Sequence, residues 1–266
     1  MNKQKKLQTA LAVLVVLLLI VIGFLVYRGY GREKGGLLDS NGQPKFENIS
    51  DTGDFVVYKG GVAKNYTGRK NIKLEWYTDA LCPDCTRVHT TTEDFIFERI
   101  DNGTLEIKFH VLNFLPQYSP EDYPLRAAAW VLGAAEFAPD SIKEFMSIVF
   151  AASDVEIAER DDTYLKELAK QAGISRDNIN LIEKNLFLLE AMVNKASVGI
   201  RQNRSLIEIS PEERMFVPFI FVSGSTDQAL KGEAEDTQSE IIDPIQSLLN
   251  EFDVTPCGNA DEEGCH

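Results

Sequence analysis

Hydrophobic and polar positions divide the chain into stretches of different period. Leu7 to Tyr27 (LQTALAVLVVLLLIVIGFLVY) carries no charge and is apolar on every face. At about 1.5 Å rise per residue it matches the roughly 30 Å hydrocarbon core of a bilayer. Phe55–Tyr58 is short and apolar, which predicts a strand. Ile72–Thr78 (IKLEWYT) and Leu105–Val111 (LEIKFHV) alternate with a period of two, which predicts strands, the second half-buried. Between them, Val88, Thr92, Phe95, Ile96 and Ile100 recur at helical spacing. They predict a helix from Pro83 to about Ile100, stopped at Asn102-Gly103. From about Glu121 to Arg204 the period is helical. Pro139-Asp140, the acidic run around Asp161, and Gly173 break this stretch into about four helices. Val217–Val222 (VPFIFV) is continuously apolar, as expected of a central strand buried on both faces. A short strand near Ala229–Leu230 follows a Ser223-Gly224-Ser225 turn. Ile241, Ile245, Leu248 and Phe252 mark a last helix entered at Asp243-Pro244.

The order is strand, helix, strand, helical block, strand, strand, helix. A βαβ unit and an antiparallel ββα unit, separated by a helical insertion, form an α/β layout of thioredoxin-like type. The expected organisation has a tail over 1–6, an anchor over 7–27 and a linker over 28–50. A thioredoxin-like domain follows over 51–115 and 205–252, with the helical insertion over 116–204 and a C-terminal tail over 253–266. The linker is rich in Gly, Ser, Asn and charge.

The apolar run has a rival reading as a cleaved signal peptide. Such a peptide has an apolar stretch of about 7–15 residues ending in small residues. Val26-Tyr27-Arg28-Gly29 does not fit a cleavage site, and an uncleaved anchor is the expectation. Lys3, Lys5 and Lys6 precede the span, while Arg28, Arg32 and Lys34 follow it, so flanking charge barely sets orientation. The simpler topology keeps the short tail in the cytoplasm and the long domain outside.

Composition narrows the function classes. The formal net charge is −14, from 27 basic and 41 acidic residues. That argues against a nucleic-acid-binding surface, which needs clustered Lys and Arg. Three histidines, His89, His110 and His266, leave little room for a multi-histidine metal centre. Four cysteines are too few for a disulfide scaffold, so each needs its own explanation.

Cys82-Pro83-Asp84-Cys85 sits where strand Ile72–Thr78 hands over to the helix. A cysteine at the helix N-cap has its sulfur against free N–H groups and the positive end of the helix dipole, which favours thiolate. Pro83 at the first helical position loses no hydrogen bond. Cys85 lies one turn on, placed to attack a mixed disulfide at Cys82. Asp84 adds negative charge nearby and should make the couple less oxidising than a His there would. Cys82, Cys85 and His89 also spell half a zinc site, which would need a fourth ligand. A purely structural Cys82–Cys85 disulfide is a further alternative, although so short a loop gains little from closure. His89 is expected on the exposed side of the helix.

EWYTDALCPDC, the helical block and Val217-Pro218 before an apolar strand together resemble the DsbA-type thiol-disulfide oxidoreductases of the thioredoxin superfamily. Membrane-anchored members from Gram-positive bacteria look most similar. The resemblance spans about residues 50–252. It implies a cis Pro218 facing Cys82, with Val217 offering backbone groups to an incoming peptide. It also implies an acidic residue in the strand before the motif that assists proton transfer at the buried cysteine. Glu75 is the candidate, one residue further from Cys82 than usual, and Asp79 competes with it.

Cys257 and Cys265 lie in a polar tail (TPCGNADEEGCH). Pairing Cys82 with Cys85 leaves this pair, read as a small structural disulfide, with a second redox centre or zinc loop as alternatives. The overall expectation is an extracytoplasmic, membrane-tethered thiol-disulfide oxidoreductase without cofactor or resident metal. It would oxidise exported, unfolded polypeptides with free thiols and be reoxidised by a redox partner protein. The alternatives are a reductase at the cell surface and a metal-binding chaperone using Cys82, Cys85 and His89.

Overall fold

A computed structural model describes residues 45–67, 72–119, 121–152, 156–210, 213–223, 228–231 and 238–251. The anchor expected over 7–27, the linker before residue 45, and Cys257 and Cys265 lie outside the described residues. Among the described residues, no helix is long and apolar enough to cross a membrane.

The unit from Phe46 onward is built on one six-stranded sheet. Its strands are β1 (Phe55–Tyr58), β2 (Gly61–Ala63), β3 (Ile72–Thr78), β4 (Leu105–Val111), β5 (Phe219–Ser223) and β6 (Gln228–Lys231). They lie in the order β2-β1-β4-β3-β5-β6. β3 and β4 are parallel, in register from Ile72 opposite Leu105 to Thr78 opposite Val111. A parallel pair needs a crossover, and helix α1 (Pro83–Asp101) supplies it. β5 runs antiparallel to β3, with Tyr77 opposite Phe219, and β6 runs antiparallel to β5. β1 pairs antiparallel with β4 and turns into β2.

Three details depart from the pattern reading. β4 is buried on both faces rather than one, because its polar residues are covered too. Glu106 accepts hydrogen bonds from the Thr67 backbone and hydroxyl, and His110 stacks flat on Tyr77 at 4.2 Å between ring centroids. β2 is too short to show a period. β5 begins at Phe219, which leaves Val217 and Pro218 in the approach to the strand.

Between β4 and β5 lies the helical insertion. It contains a 3-10 turn (Pro116–Tyr118) and the helices α2 (Tyr123–Phe137), α3 (Ile142–Ala151), α4 (Asp162–Gln171), α5 (Arg176–Arg201) and α6 (Arg204–Ile209). Asp161, Ser175 and Asn203 cap the last three, each side chain accepting the N–H three residues on. α2 is buried along most of its length, and its alanines let α5 pack close. A π-helical turn (Gln238–Ile242) leads into α7 (Asp243–Glu251), which Gln246 ties to α1 through Arg99 at 2.8 Å.

This architecture places three features at one end of β3. They are the β3–α1 turn, the segment leaving β4 and the segment entering β5.

Candidate active site

Cys82 is the N-cap of α1 and has extended backbone angles. Its sulfur accepts the Cys85 N–H at 3.4 Å, satisfying one of the free donors at the helix start. Pro83 occupies the first helical position. Both thiols are free. Cys82 retains 6% of its surface and Cys85 none, so attack from outside can reach only the first sulfur.

The two thiols are driven apart in acidity. A hydrogen bond from the Cys85 thiol, opposed by burial and aided by the Cys85 and Asp84 backbone N–H groups, lowers the Cys82 pKa. Burial first, then the neighbouring Cys82 sulfur, raises Cys85 well above an ordinary thiol. That difference suits one sulfur to act as nucleophile and leaving group while the other holds its proton.

The Val217-Pro218 peptide bond is cis, and Pro218 is buried. The Cys82 Sγ lies 3.6 Å from the Val217 carbonyl oxygen. Two segments far apart in sequence therefore meet at the reactive sulfur. Around them, Ile200, Leu206, Met215 and Phe216 are half-covered apolar side chains packed on Tyr77, Phe114 and Phe219.

The two candidate acids occupy different places. Glu75 lies on β3 and accepts from Tyr77 Oη at 2.7 Å; its Oε2 is also 3.2 Å from His110 Nε2. Burial raises its pKa, but hydrogen bonds from His110 and Tyr77 and the charges of His110 and Lys108 outweigh that and hold it at about 2. Asp79 is fully buried directly before the cysteine turn. Its backbone N–H donates to Cys85 Sγ at 3.5 Å, and its carboxylate accepts from Leu81 N at 2.8 Å. It also accepts from Phe114 N at 2.7 Å and Leu115 N at 3.0 Å. Burial lifts its pKa to about 6 against those hydrogen bonds and the Arg201 charge. Of the two acids, Asp79 is the one bonded to the cysteine turn, and its charge is the one that opposes the Cys82 thiolate. Asp84 points outward and pairs with Arg87 at 3.0 Å.

His89 is not on the exposed side of α1. It is 2% exposed, with its ring stacked on Phe150 of α3 at 4.8 Å and 5.7 Å from Trp76. The insertion covers this side of the helix, and α1's own periodicity does not reveal that cover. Burial lowers the His89 pKa to about 4. Among the described residues, no three His, Cys, Asp or Glu side chains are grouped to hold a metal.

The architecture matches solved thiol-disulfide oxidoreductases. DsbA from Mycobacterium tuberculosis (reduced) superposes with a TM-score of 0.53 at 16% identity, covering 80% of this chain and 95% of its own. MdbA from Corynebacterium matruchotii gives 0.56 at 15%, covering 73% and 91%. Oxidised BdbD from Bacillus subtilis gives 0.52 at 18%, covering 77% and 97%. The fold is of the DsbA type. No protein-family model and no curated protein matches the sequence. At such identities the likeness is one of architecture. Arg201 and Phe114 belong to the site although neither stands out in the sequence. The Phe114 N–H reaches Asp79 across α1 and β4, and Arg201 reaches the Asn113 and Phe114 carbonyls across most of the insertion.

Proposed function

We propose that this chain is an extracytoplasmic, membrane-tethered thiol-disulfide oxidoreductase that introduces disulfides into exported polypeptides through Cys82-Pro83-Asp84-Cys85. The observation that carries the reading is the opposed setting of the two sulfurs: Cys82 at a helix N-cap with lowered pKa, Cys85 buried with raised pKa. The tether is supported by the uncharged run Leu7–Tyr27.

In the oxidising direction, a substrate thiolate attacks Cys82 Sγ of the Cys82–Cys85 disulfide. The S–S bond breaks, Cys85 leaves with the electron pair and takes a proton, and a mixed disulfide forms at Cys82. A second substrate thiolate then attacks the substrate sulfur of that mixed disulfide. Cys82 leaves as the stabilised thiolate, and the substrate has lost two electrons to the cysteine pair. A partner protein must remove those electrons to complete a cycle. Asp79 rather than Glu75 is the acid that adjoins the cysteine pair, with its backbone N–H on Cys85 Sγ at 3.5 Å, and its carboxyl is assigned the proton exchange at Cys85. The half-covered apolar side chains Met215 and Phe216, next to Val217, suit an unfolded chain. The Val217 carbonyl can accept a hydrogen bond from the substrate backbone.

The test is a trap. Cys85→Ala protein mixed with an unfolded polypeptide whose single cysteine is activated as a thionitrobenzoate mixed disulfide should release thionitrobenzoate and accumulate a polypeptide mixed disulfide at Cys82. Cys82→Ala protein should form none. A reduction potential well above that of cytosolic thioredoxin-like reductases (about −270 mV) supports oxidation as the direction. A value at or below it assigns the same site to reduction.

A further inference from the structure

Asn113, Phe114 and Leu115 leave β4 and enter the helical insertion. Their two peptide units are gripped from both sides. The N–H groups of Phe114 and Leu115 donate to the same Asp79 oxygen, Oδ2, at 2.7 and 3.0 Å. The carbonyls of Asn113 and Phe114 accept from Arg201 Nη2 at 3.3 and 2.7 Å. Each peptide unit, 113–114 and 114–115, therefore has the guanidinium at its oxygen and the carboxylate at its nitrogen. The guanidinium also lies over the Phe114 ring, 4.5 Å from its centre. One turn earlier on α5, Ser197 Oγ accepts the Asn113 N–H at 2.9 Å. Peptide dipoles held this way are polarised by both charges and transmit one to the other in a buried setting.

We infer that Arg201, at the C-terminal end of α5, is a positioning residue of the cysteine site. Through peptide units 113–114 and 114–115 it fixes the Asp79 carboxylate and favours its ionised form. The docking of the helical insertion is thereby linked to the thiolate balance of Cys82 and Cys85. The inference rests on the redox reading above, but its test needs no turnover.

The groups facing Asp79 are Cys82 and Cys85 from the α1 turn, Arg201 from α5 and Tyr123 from α2. The sign of the effect separates a relay from a direct charge. A cation acting directly favours the thiolate, so its loss shifts thiolate formation to higher pH at every pH. A cation acting through Asp79 moves only the step in which Asp79 ionises, because ionised Asp79 is what disfavours the thiolate.

The experiment is thiolate formation in the reduced full chain, followed against pH by absorbance at 240 nm and by the rate of iodoacetamide alkylation. Wild type is compared with Arg201→Met, Arg201→Lys, Asp79→Asn and the Arg201→Met/Asp79→Asn double variant. Wild type should show a two-step curve. Arg201→Met should move the lower step up by about one pH unit, and Arg201→Lys should restore most of it. Asp79→Asn should abolish the step, and adding Arg201→Met should then change nothing further. An equal shift in both backgrounds, or no shift with intact near-UV circular dichroism, overturns the proposal. If Arg201→Met does not fold, Arg201→Gln is read by the same criteria. Failure of the redox reading would instead appear as Cys85→Ala protein that traps no mixed disulfide, with these curves unaffected.

Discussion

Two aspartates flank the reactive sulfur in opposite environments, and environment decides which one matters. Asp84 is exposed and paired with Arg87, so water and a guanidinium both screen it. Asp79 is dry and opposes the Cys82 thiolate directly. Removing negative charge near that thiolate stabilises the reduced form and raises the reduction potential. Asp79→Asn should raise it by about 30 mV, equivalent to one unit of thiol pKa. Asp84→His should raise it by less. Equilibration with glutathione measures both, and the reverse ranking would contradict this assignment. Asp79→Asn should also slow the proton-dependent exchange at Cys85 despite the higher potential, seen as a reduced rate of RNase refolding. His89 gives a second residue-level prediction. Its pKa falls from about 6.5 unfolded to about 4 folded, so the unfolded chain binds the extra proton between those values. Stability is therefore unaffected by this group above pH 6.5 and declines as pH falls towards 4, by roughly 3 kcal/mol in total. His89→Phe keeps an aromatic ring between Trp76 and Phe150, and should lose that part of the pH dependence in urea unfolding at pH 7 and pH 4.5. The cysteine turn itself is legible in the sequence because its determinants are local: a cap, a proline and a second cysteine one turn away. The partners of Asp79 are not, since Phe114 lies past the whole of α1 and β4, and Arg201 lies beyond most of the insertion.

At the scale of elements, periodicity locates β1, β3, β4, β5, α1 and the four long helices of the insertion, because each carries its own apolar repeat and its own stop. Coverage by other elements is what periodicity misses. β4 reads as half-buried because Glu106, Lys108 and His110 alternate with apolar residues, yet Glu106 is buried once Thr67 supplies two donors. His89 reads as exposed because its cover, Phe150 on α3, comes from a different element far along the chain. The α2–α5 contact shows how closely these helices pack. A Cβ at Gly133 would lie 2.8 Å from Ile182 Cγ2 and 3.2 Å from Leu189 Cδ1. Alanine there gains about 1 kcal/mol of helix propensity but forces overpacking that costs about 1–3 kcal/mol. Gly133→Ala should therefore destabilise the protein by about 1 kcal/mol in chemical denaturation. Ile182→Ala opens the same space and costs stability alone, so the double variant should be more stable than the sum of the two losses. Strict additivity would mean that the two positions do not share the contact.

For the whole molecule, charge and hydropathy are divided along the chain, and the division can be tested without knowledge of any substrate. Residues 1–34 hold six basic side chains and one acidic, a charge of +5, so the rest of the chain carries −19. A basic segment can bind an anionic membrane surface electrostatically, and that hold fails in high salt. The uncharged span Leu7–Tyr27 would hold by burial in hydrocarbon and resist both high salt and alkaline carbonate. In membranes from cells expressing the full chain, the protein should remain with the pellet through 1 M salt and carbonate washes and leave it only in detergent. External protease on intact protoplasts should remove the domain and leave a short protected fragment containing residues 7–27. Release by salt would assign the attachment to the basic residues. Digestion only after lysis would put the cysteine site on the cytoplasmic side, where a reducing environment would run the same exchange backwards.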